Sequence, residues 1–397
     1  MGWEDTAALP KAGPATTFEV RDANGPVNFV THPSPYHHLK LSGDDINMAS
    51  DGADGPWWNP RYWRKRTWAI VVGVLVAIII VAVVTPIEVA KRNRYPDYYR
   101  IDYALADEYS GTTFFDQFNY FVGYDPAQGF VHYVPREQAT QLNLTYASAD
   151  AAILRVDTSV GPGSEPDAST GRFSVRLESK RQYDTGLFVF DVRHTPFGCG
   201  TWPALWLADP VHWPDNGEID VLEAVNRADT GNQMTLHTTA GCTVDARRIM
   251  TGESLATDCH NATDNNAGCG VRGPVDSYGT AFNAGGGGVA AVEWRAEGIR
   301  IWQFPRDSIP ADIAARRPDP SAWGSASADF PNTNCDVGAY FRNQSIIVNI
   351  DLCGQYAGSV YSQSGCPSNC TDFVANNPQA FTDAFWELGA FEVYQRA

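Results

Sequence analysis

Basic residues are too scarce in this chain for a nucleic-acid or polyanion binder. Only 29 Lys and Arg stand against 46 Asp and Glu in 397 residues, a formal net charge of −17 at pH 7, and phosphate recognition needs a basic surface. Neither Gly-x-Ser-x-Gly nor His-Glu-x-x-His occurs, so serine-hydrolase and zincin chemistries lack their first requirement. Gly285-Gly286-Gly287-Gly288 is not followed by Gly-Lys-Ser/Thr, which removes a phosphate loop and leaves a hairpin or loop. No long amphipathic helical repeat is present. Cysteine is missing until Cys199, and all eight cysteines lie in the second half. An even count confined to one region implies disulfides and an oxidising compartment, with the pairing left open. Zinc is the competing reading, but Cys366-x-x-x-Cys370 has no matching Cys/His pair after it and Cys259-His260 is isolated.

What is present is most concentrated in Asn216-Gly217-Glu218-Ile219-Asp220-Val221-Leu222-Glu223. Ile219, Val221 and Leu222 favour a strand, and a strand does not place three carboxylates there without a chemical reason. Side chains alternate along a strand, so Glu218 and Asp220 share a face and Glu223 would point away from it. One extra residue, a β-bulge between Asp220 and Glu223, returns Glu223 to the others. Two carboxyl groups on one face, about 5–5.5 Å apart, are what retaining glycoside hydrolysis requires. Crowding of like charges should keep one of them protonated near neutral pH. A solvated strand edge or a hard-cation site would use the same residue types. The surroundings favour a sugar site: Trp202 and Trp206 lie upstream, Trp213 sits five residues before Glu218, and Met234-Thr235-Leu236-His237-Thr238 follows. Pyranose faces stack on indole rings while carboxylates handle the polar chemistry.

On these residues, together with Phe130-Val131-His132-Tyr133-Val134, Ala291-Val292-Glu293-Trp294, Ile299-Arg300-Ile301-Trp302, Trp323-Gly324 and Ile350-Asp351-Leu352-Cys353-Gly354, the chain resembles glycoside hydrolase family 16. Within it, the similarity is to fungal laminarinase-like endo-1,3(4)-β-glucanases, in the family's order over roughly residues 98–396. The longer Glu-Ile-Asp-x-x-Glu motif agrees with the bulge inferred from spacing. The resemblance implies an all-β fold, a curved antiparallel jelly-roll sandwich with a concave glycan cleft. It implies Glu218 as nucleophile, Glu223 as acid/base, Asp220 as their electrostatic helper and His237 in support. Trp206 and Trp213 match the family's sugar-contacting positions, Trp202 fits either a sugar contact or the core, and Trp323, on a Pro- and Ser-containing loop with less core to bury in, is a further sugar platform. No cofactor and no catalytic metal are implied; a structural calcium ion is left open.

From Thr67 to Ile87 there is no charge, and Ile70–Val84 is apolar apart from Gly73, long enough to cross a bilayer. The sequence therefore divides into a disordered cytoplasmic tail (1–66), an uncleaved transmembrane signal anchor (67–88), a juxtamembrane linker (89–100) and a catalytic domain (101–397). Four Asn-x-Ser/Thr sequons, at Asn143, Asn261, Asn343 and Asn369, all follow the apolar segment. With the cysteines they place the C-terminal part in the extracellular or lumenal space, as in a single-pass type II protein. Trp57, Trp58, Tyr62, Trp63 and Trp68 on one side, and Tyr95, Tyr98 and Tyr99 on the other, read as interfacial belts.

The expected activity is hydrolysis of internal β-1,3 or mixed β-1,3/1,4 bonds of glucan by a membrane-anchored retaining endo-enzyme. A cell-wall glucan transglycosylase of the same superfamily is the alternative. A non-catalytic β-glucan lectin is a third reading, against which the presence of both Glu218 and Glu223 argues. The expected partners are β-glucan and the membrane, with no nucleic acid. Linkage preference, oligomeric state and the role of the tail are not legible in the chain.

Overall fold

Residues 58–165 and 167–397 are described by the structure, a computed structural model. Most of the tail expected over 1–66, with Trp57 of the first aromatic belt, lies outside the described residues.

The apolar segment forms a helix from Lys65 to Arg92. Lys65–Lys91, with a mean hydropathy of 3.1 over its most apolar window, is long and apolar enough to cross a membrane, and no residue of that window is buried. Pro86 offers no N–H to the carbonyl one turn back, and the turn before it, Ile80–Val84, is wound as a π turn.

Beyond Tyr103 the chain forms two eight-stranded sheets. The first runs in the order Ala328–Pro331, Gly298–Pro305, Gly288–Arg295, Gly186–His194, Phe385–Arg396, Ala152–Arg155 and Thr145–Ala147, with Tyr103–Tyr109 also paired to Phe385–Arg396. The second runs Glu253–Ser254, Val271–Arg272, Gln233–His237, Glu218–Glu223, Thr201–Ala208, Gln344–Leu352, Arg176–Tyr183, Phe118–Tyr120. Every pairing within the two large sheets is antiparallel. Alternate residues explain the core: Phe188, Phe190, Trp294, Ile299 and Ile301 from the first sheet bury against Leu205, Leu207, Ile219, Ile346, Val348 and Ile350 from the second. The chain is thus the expected antiparallel sandwich. The alternating run Phe173–Leu177, whose period of two predicts a strand, is not one strand. Arg172–Ser174 pairs in parallel with Val131–Tyr133 in a small third sheet, and the chain enters the second sheet only at Arg176.

All eight cysteines are oxidised: Cys199–Cys366, Cys242–Cys335, Cys259–Cys269 and Cys353–Cys370. The Cys366-x-x-x-Cys370 spacing therefore serves two different bridges.

The segment expected as a linker, 89–100, is not free. It stays helical to Arg92, and from Tyr95 it lies against the outer face of the first sheet. The Tyr95 and Tyr98 hydroxyls donate to the two oxygens of buried Asp329 at 3.0 and 3.3 Å. The Arg300 guanidinium lies 4.0 Å from the Tyr98 ring and that of Arg295 lies 4.3 Å from the Tyr99 ring. These tyrosines belong to the folded domain rather than to a bilayer belt, because Asp329, Arg300 and Arg295 of the first sheet hold their hydroxyls and rings.

Candidate active site

The strand Glu218–Glu223 lies inside the second sheet, flanked by Thr201–Ala208 and Gln233–His237. Its ladder with the latter pairs Glu218 with His237, Asp220 with Thr235 and Glu223 with Gln233. Val221 and Leu222 thus stand opposite Met234 alone, the two-against-one count of a bulge. On the other side Leu222 pairs with Leu205 and Asp220 with Trp206. Val221 is therefore the residue unmatched in both ladders. Val221 and Leu222 both point into the sandwich core, so Glu218, Asp220 and Glu223 emerge together on the opposite face.

The tryptophans converge on these carboxylates. Trp202 Nε1 donates to Glu223 Oε1 at 2.7 Å. Trp213, 43% exposed on the loop before the strand, donates from Nε1 to Glu218 Oε2. Trp206, cross-strand from Asp220, donates to Asn349 Oδ1 at 2.8 Å. The Arg176 guanidinium lies 5.1 Å from the Trp206 ring and 4.8 Å from that of Phe121. His237 Nε2 lies 3.3 Å from Asp220 Oδ2, and its Nδ1 is 3.0 Å from Asn266 Oδ1. An amide oxygen only accepts, so that contact places the imidazole hydrogen on Nδ1.

Burial pushes the Glu223 carboxyl above the usual carboxylate range, against the opposing pull of the Trp202 hydrogen bond and of His237. Asp220 is pushed well above it, first by burial and then by the charges of Glu218 and Glu223. Crowding of like charges, which the sequence suggested as the cause, is secondary to desolvation at both groups. Glu218, Asp220 and His237 bring one ligand atom each within 4.8 Å of one another, a donor set that a cation could also use.

The structure thus gathers Glu218, Asp220, Glu223, His237, Trp202, Trp206 and Trp213. Trp323 is elsewhere. Its ring packs edge-on against Trp302 and Phe304, at 5.3 and 5.5 Å, with the outer apolar cluster of the first sheet. Its Nε1 donates to Asp312 Oδ2 at 2.8 Å. It does not face the carboxylates, because it packs on the outer apolar cluster of the first sheet, whereas they stand on the second. Sequence reasoning missed Asn349 and Arg176. The signal for Asn349 was present, since polar Asn349 and Asp351 alternate with apolar Val348, Ile350 and Leu352.

A sandwich carrying a carboxylate trio among indole rings on one face defines a carbohydrate-active fold. Residues 118–394 match the family described as "XgeA-like, catalytic GH16 domain". A Schizosaccharomyces pombe protein named a probable glycosidase is 47% identical over 312 residues, covering 77% of this chain and 72% of that protein. An Aspergillus clavatus protein named a probable endo-1,3(4)-beta-glucanase is 40% identical over 302 residues, covering 74% of this chain but only 46% of that protein. The chain thus spans about half the length of that relative. Among solved structures, Laminarinase 16A of Phanerochaete chrysosporium, with two β-glucans in its donor and acceptor sites, is 45% identical with a TM-score of 0.70, covering 74% of this chain and 99% of that one. An elongating family 16 beta-1,3-glucosyltransferase is 41% identical with a TM-score of 0.68, covering 74% and 100%. The chain belongs to glycoside hydrolase family 16.

Proposed function

We propose that this protein is a retaining endo-β-glucanase that cuts internal β-1,3 or mixed β-1,3/1,4 bonds of glucan by double displacement. The observation that carries the reading is the bulge that puts Glu218 and Glu223 on one face with unequal burial. Glu223, pushed by burial toward its neutral form, gives its proton to the glycosidic oxygen as the C–O bond breaks. Glu218 attacks the anomeric carbon and forms the glycosyl-enzyme. Glu223, now a carboxylate, takes a proton from water, and the water attacks the same carbon and releases Glu218. Asp220, protonated beside Glu218, spreads the negative charge between them, and His237 orients Asp220. Trp202, Trp206 and Trp213 offer ring faces to the sugars. The relatives named as glucanases and the laminarinase complexed with β-glucans support the substrate class.

The similarity to an elongating glucosyltransferase favours a second reading, in which a sugar hydroxyl replaces water in the second step. Product analysis with laminarin, lichenan and xyloglucan separates the two. Shorter products only support hydrolysis, longer products support transfer, and no turnover of any of the three refutes both. Retention is tested by NMR, and release of the inverted anomer first would reject the double displacement.

The same reading holds the apolar helix to be a signal anchor, with the N-terminal tail cytoplasmic and the four-disulfide domain outside. Glycans on Asn143, Asn261, Asn343 and Asn369 in a eukaryotic host are expected. Their absence, together with a tail protected from protease on the cytoplasmic side, would reverse the topology.

A further inference from the structure

The bulge leaves a problem at the backbone that one side chain solves. Where two residues face one, the peptide groups around Leu222 fall out of register with the ladder of Gln233–His237, and buried N–H and C=O groups need partners. Asn232, fully buried just before that strand, supplies both. Its Oδ1 accepts the Glu223 N–H at 2.8 Å, and its Nδ2 donates to the Val221 carbonyl at 2.8 Å. A carboxamide carries a carbonyl and an N–H side by side, as a peptide does, so Asn232 stands in for the peptide unit that the extra residue displaces.

Asn232 is itself held at every polar group. Its backbone N–H donates to Ser277 Oγ at 2.8 Å, and its carbonyl accepts the Gly273 N–H at 2.8 Å. Gly231 makes the turn that delivers it, with φ at +87° and no room for a side chain, since a Cβ would lie 2.3 Å from the Pro274 carbonyl oxygen. The side chain bonds backbone groups of the strand and no carboxylate of the trio. Its two side-chain bonds end on the peptides that set where Glu223 points.

We propose that Asn232 is a positioning residue for the acid/base: it closes the bulge and fixes the direction of Glu223 toward the glycosidic oxygen. The inference rests on the reading of Glu223 given under the proposed function. It requires that loss of Asn232 slow proton delivery while leaving substrate binding intact. Leaving groups that depart without a proton escape the defect.

The test compares the full chain with its Asn232→Ala and Asn232→Asp variants on laminarin and on a 2,4-dinitrophenyl β-laminaribioside. Aspartate keeps the acceptor for the Glu223 N–H and, assayed at a pH where it is ionised, sets a second acceptor against the Val221 carbonyl in place of the donor, so it tests the idea even if alanine does not fold. On laminarin, kcat is expected to fall about 100-fold, the cost of a misplaced catalytic group, with KM little changed. On the aryl glycoside, the pre-steady-state burst of dinitrophenol, which reports glycosylation alone, is expected to keep its wild-type rate. Equal slowing on both substrates would reduce Asn232 to a structural residue, and unchanged kcat on laminarin in the aspartate variant would overturn the proposal. Wild-type protein that turns over none of laminarin, lichenan and xyloglucan would instead refute the function it rests on.

Discussion

Replacing Tyr98 by alanine should destabilise the catalytic domain although Tyr98 lies only six residues beyond the apolar helix. Its hydroxyl donates to buried Asp329, a bond worth about 1 kcal/mol because Tyr95 and the Ile249 N–H still serve that carboxylate. Its ring lies 4.0 Å from the Arg300 guanidinium and 5.8 Å from that of Arg295, worth about 1–2 kcal/mol together. Burial of part of the ring adds about 1 kcal/mol. The sum is about 3–4 kcal/mol for Tyr98→Ala and about 1 kcal/mol for Tyr98→Phe. In a domain of this size each kcal/mol moves the melting midpoint by about 2 °C, so alanine should lower it by about 6–8 °C and phenylalanine by about 2 °C. Thermal unfolding of the full chain in detergent, followed by near-ultraviolet circular dichroism, measures this. Gly298 gives an independent check, since a Cβ there would come 2.0 Å from the Tyr98 hydroxyl. Gly298→Ala should therefore cost less in the Tyr98→Ala background than alone. If Tyr98→Ala melts with the wild type, the segment is not part of the fold and its tyrosines return to the bilayer interface.

Trp202→Phe removes the hydrogen bond that favours the charged form of Glu223, so the carboxyl should rise further and the basic limb of the kcat/KM profile should move to higher pH. Trp206→Phe, which releases Asn349 instead, should leave that limb in place, and a downward move in Trp202→Phe would refute the assignment. Glu218→Gln should abolish turnover and keep oligosaccharide binding by calorimetry; near wild-type activity would sink the nucleophile. Trp323→Ala should cost about 3 kcal/mol of stability with KM for glucan unchanged, and a raised KM would return it to the substrate site.

What the sequence disclosed, and what it hid, follows from the range of the interactions involved. The strand motif is local: period-two alternation and one surplus residue are sufficient to derive the bulge, and the ladder contains it. The sandwich follows from the same alternation repeated in many short runs. Trp323 and the juxtamembrane tyrosines are not local problems. An indole in a loop fits a sugar or an outer apolar cluster equally well, and its acceptor, Asp312, carries no mark of that duty. Tyr95 and Tyr98 beside an apolar helix look like lipid anchors until Asp329, more than 230 residues on, is brought to them. Disulfide pairing is hidden for the same reason, with Cys199 and Cys366 separated by 167 residues.

The carboxylate motif also cannot say by itself which glutamate donates the proton. Glu-Ile-Asp-Val-Leu-Glu offers two glutamates around one aspartate, and crowding alone would raise whichever is cheapest to neutralise. Depth breaks the tie. Glu218 opens its strand half-exposed beside Trp213, whereas Glu223 closes it buried against Trp202. Burial, the largest influence on Glu223, favours its neutral form where the next steps need an acid. The bulge therefore does two things with one residue. It returns Glu223 to the face of Glu218, and it does so at the buried end of the strand, where its peptide bonds Asn232 and burial pushes its carboxyl above the usual carboxylate range. Shortening the spacing by deleting Val221, the residue unmatched in both ladders, would keep the three carboxylates on one face and remove the need for Asn232 at the bulge.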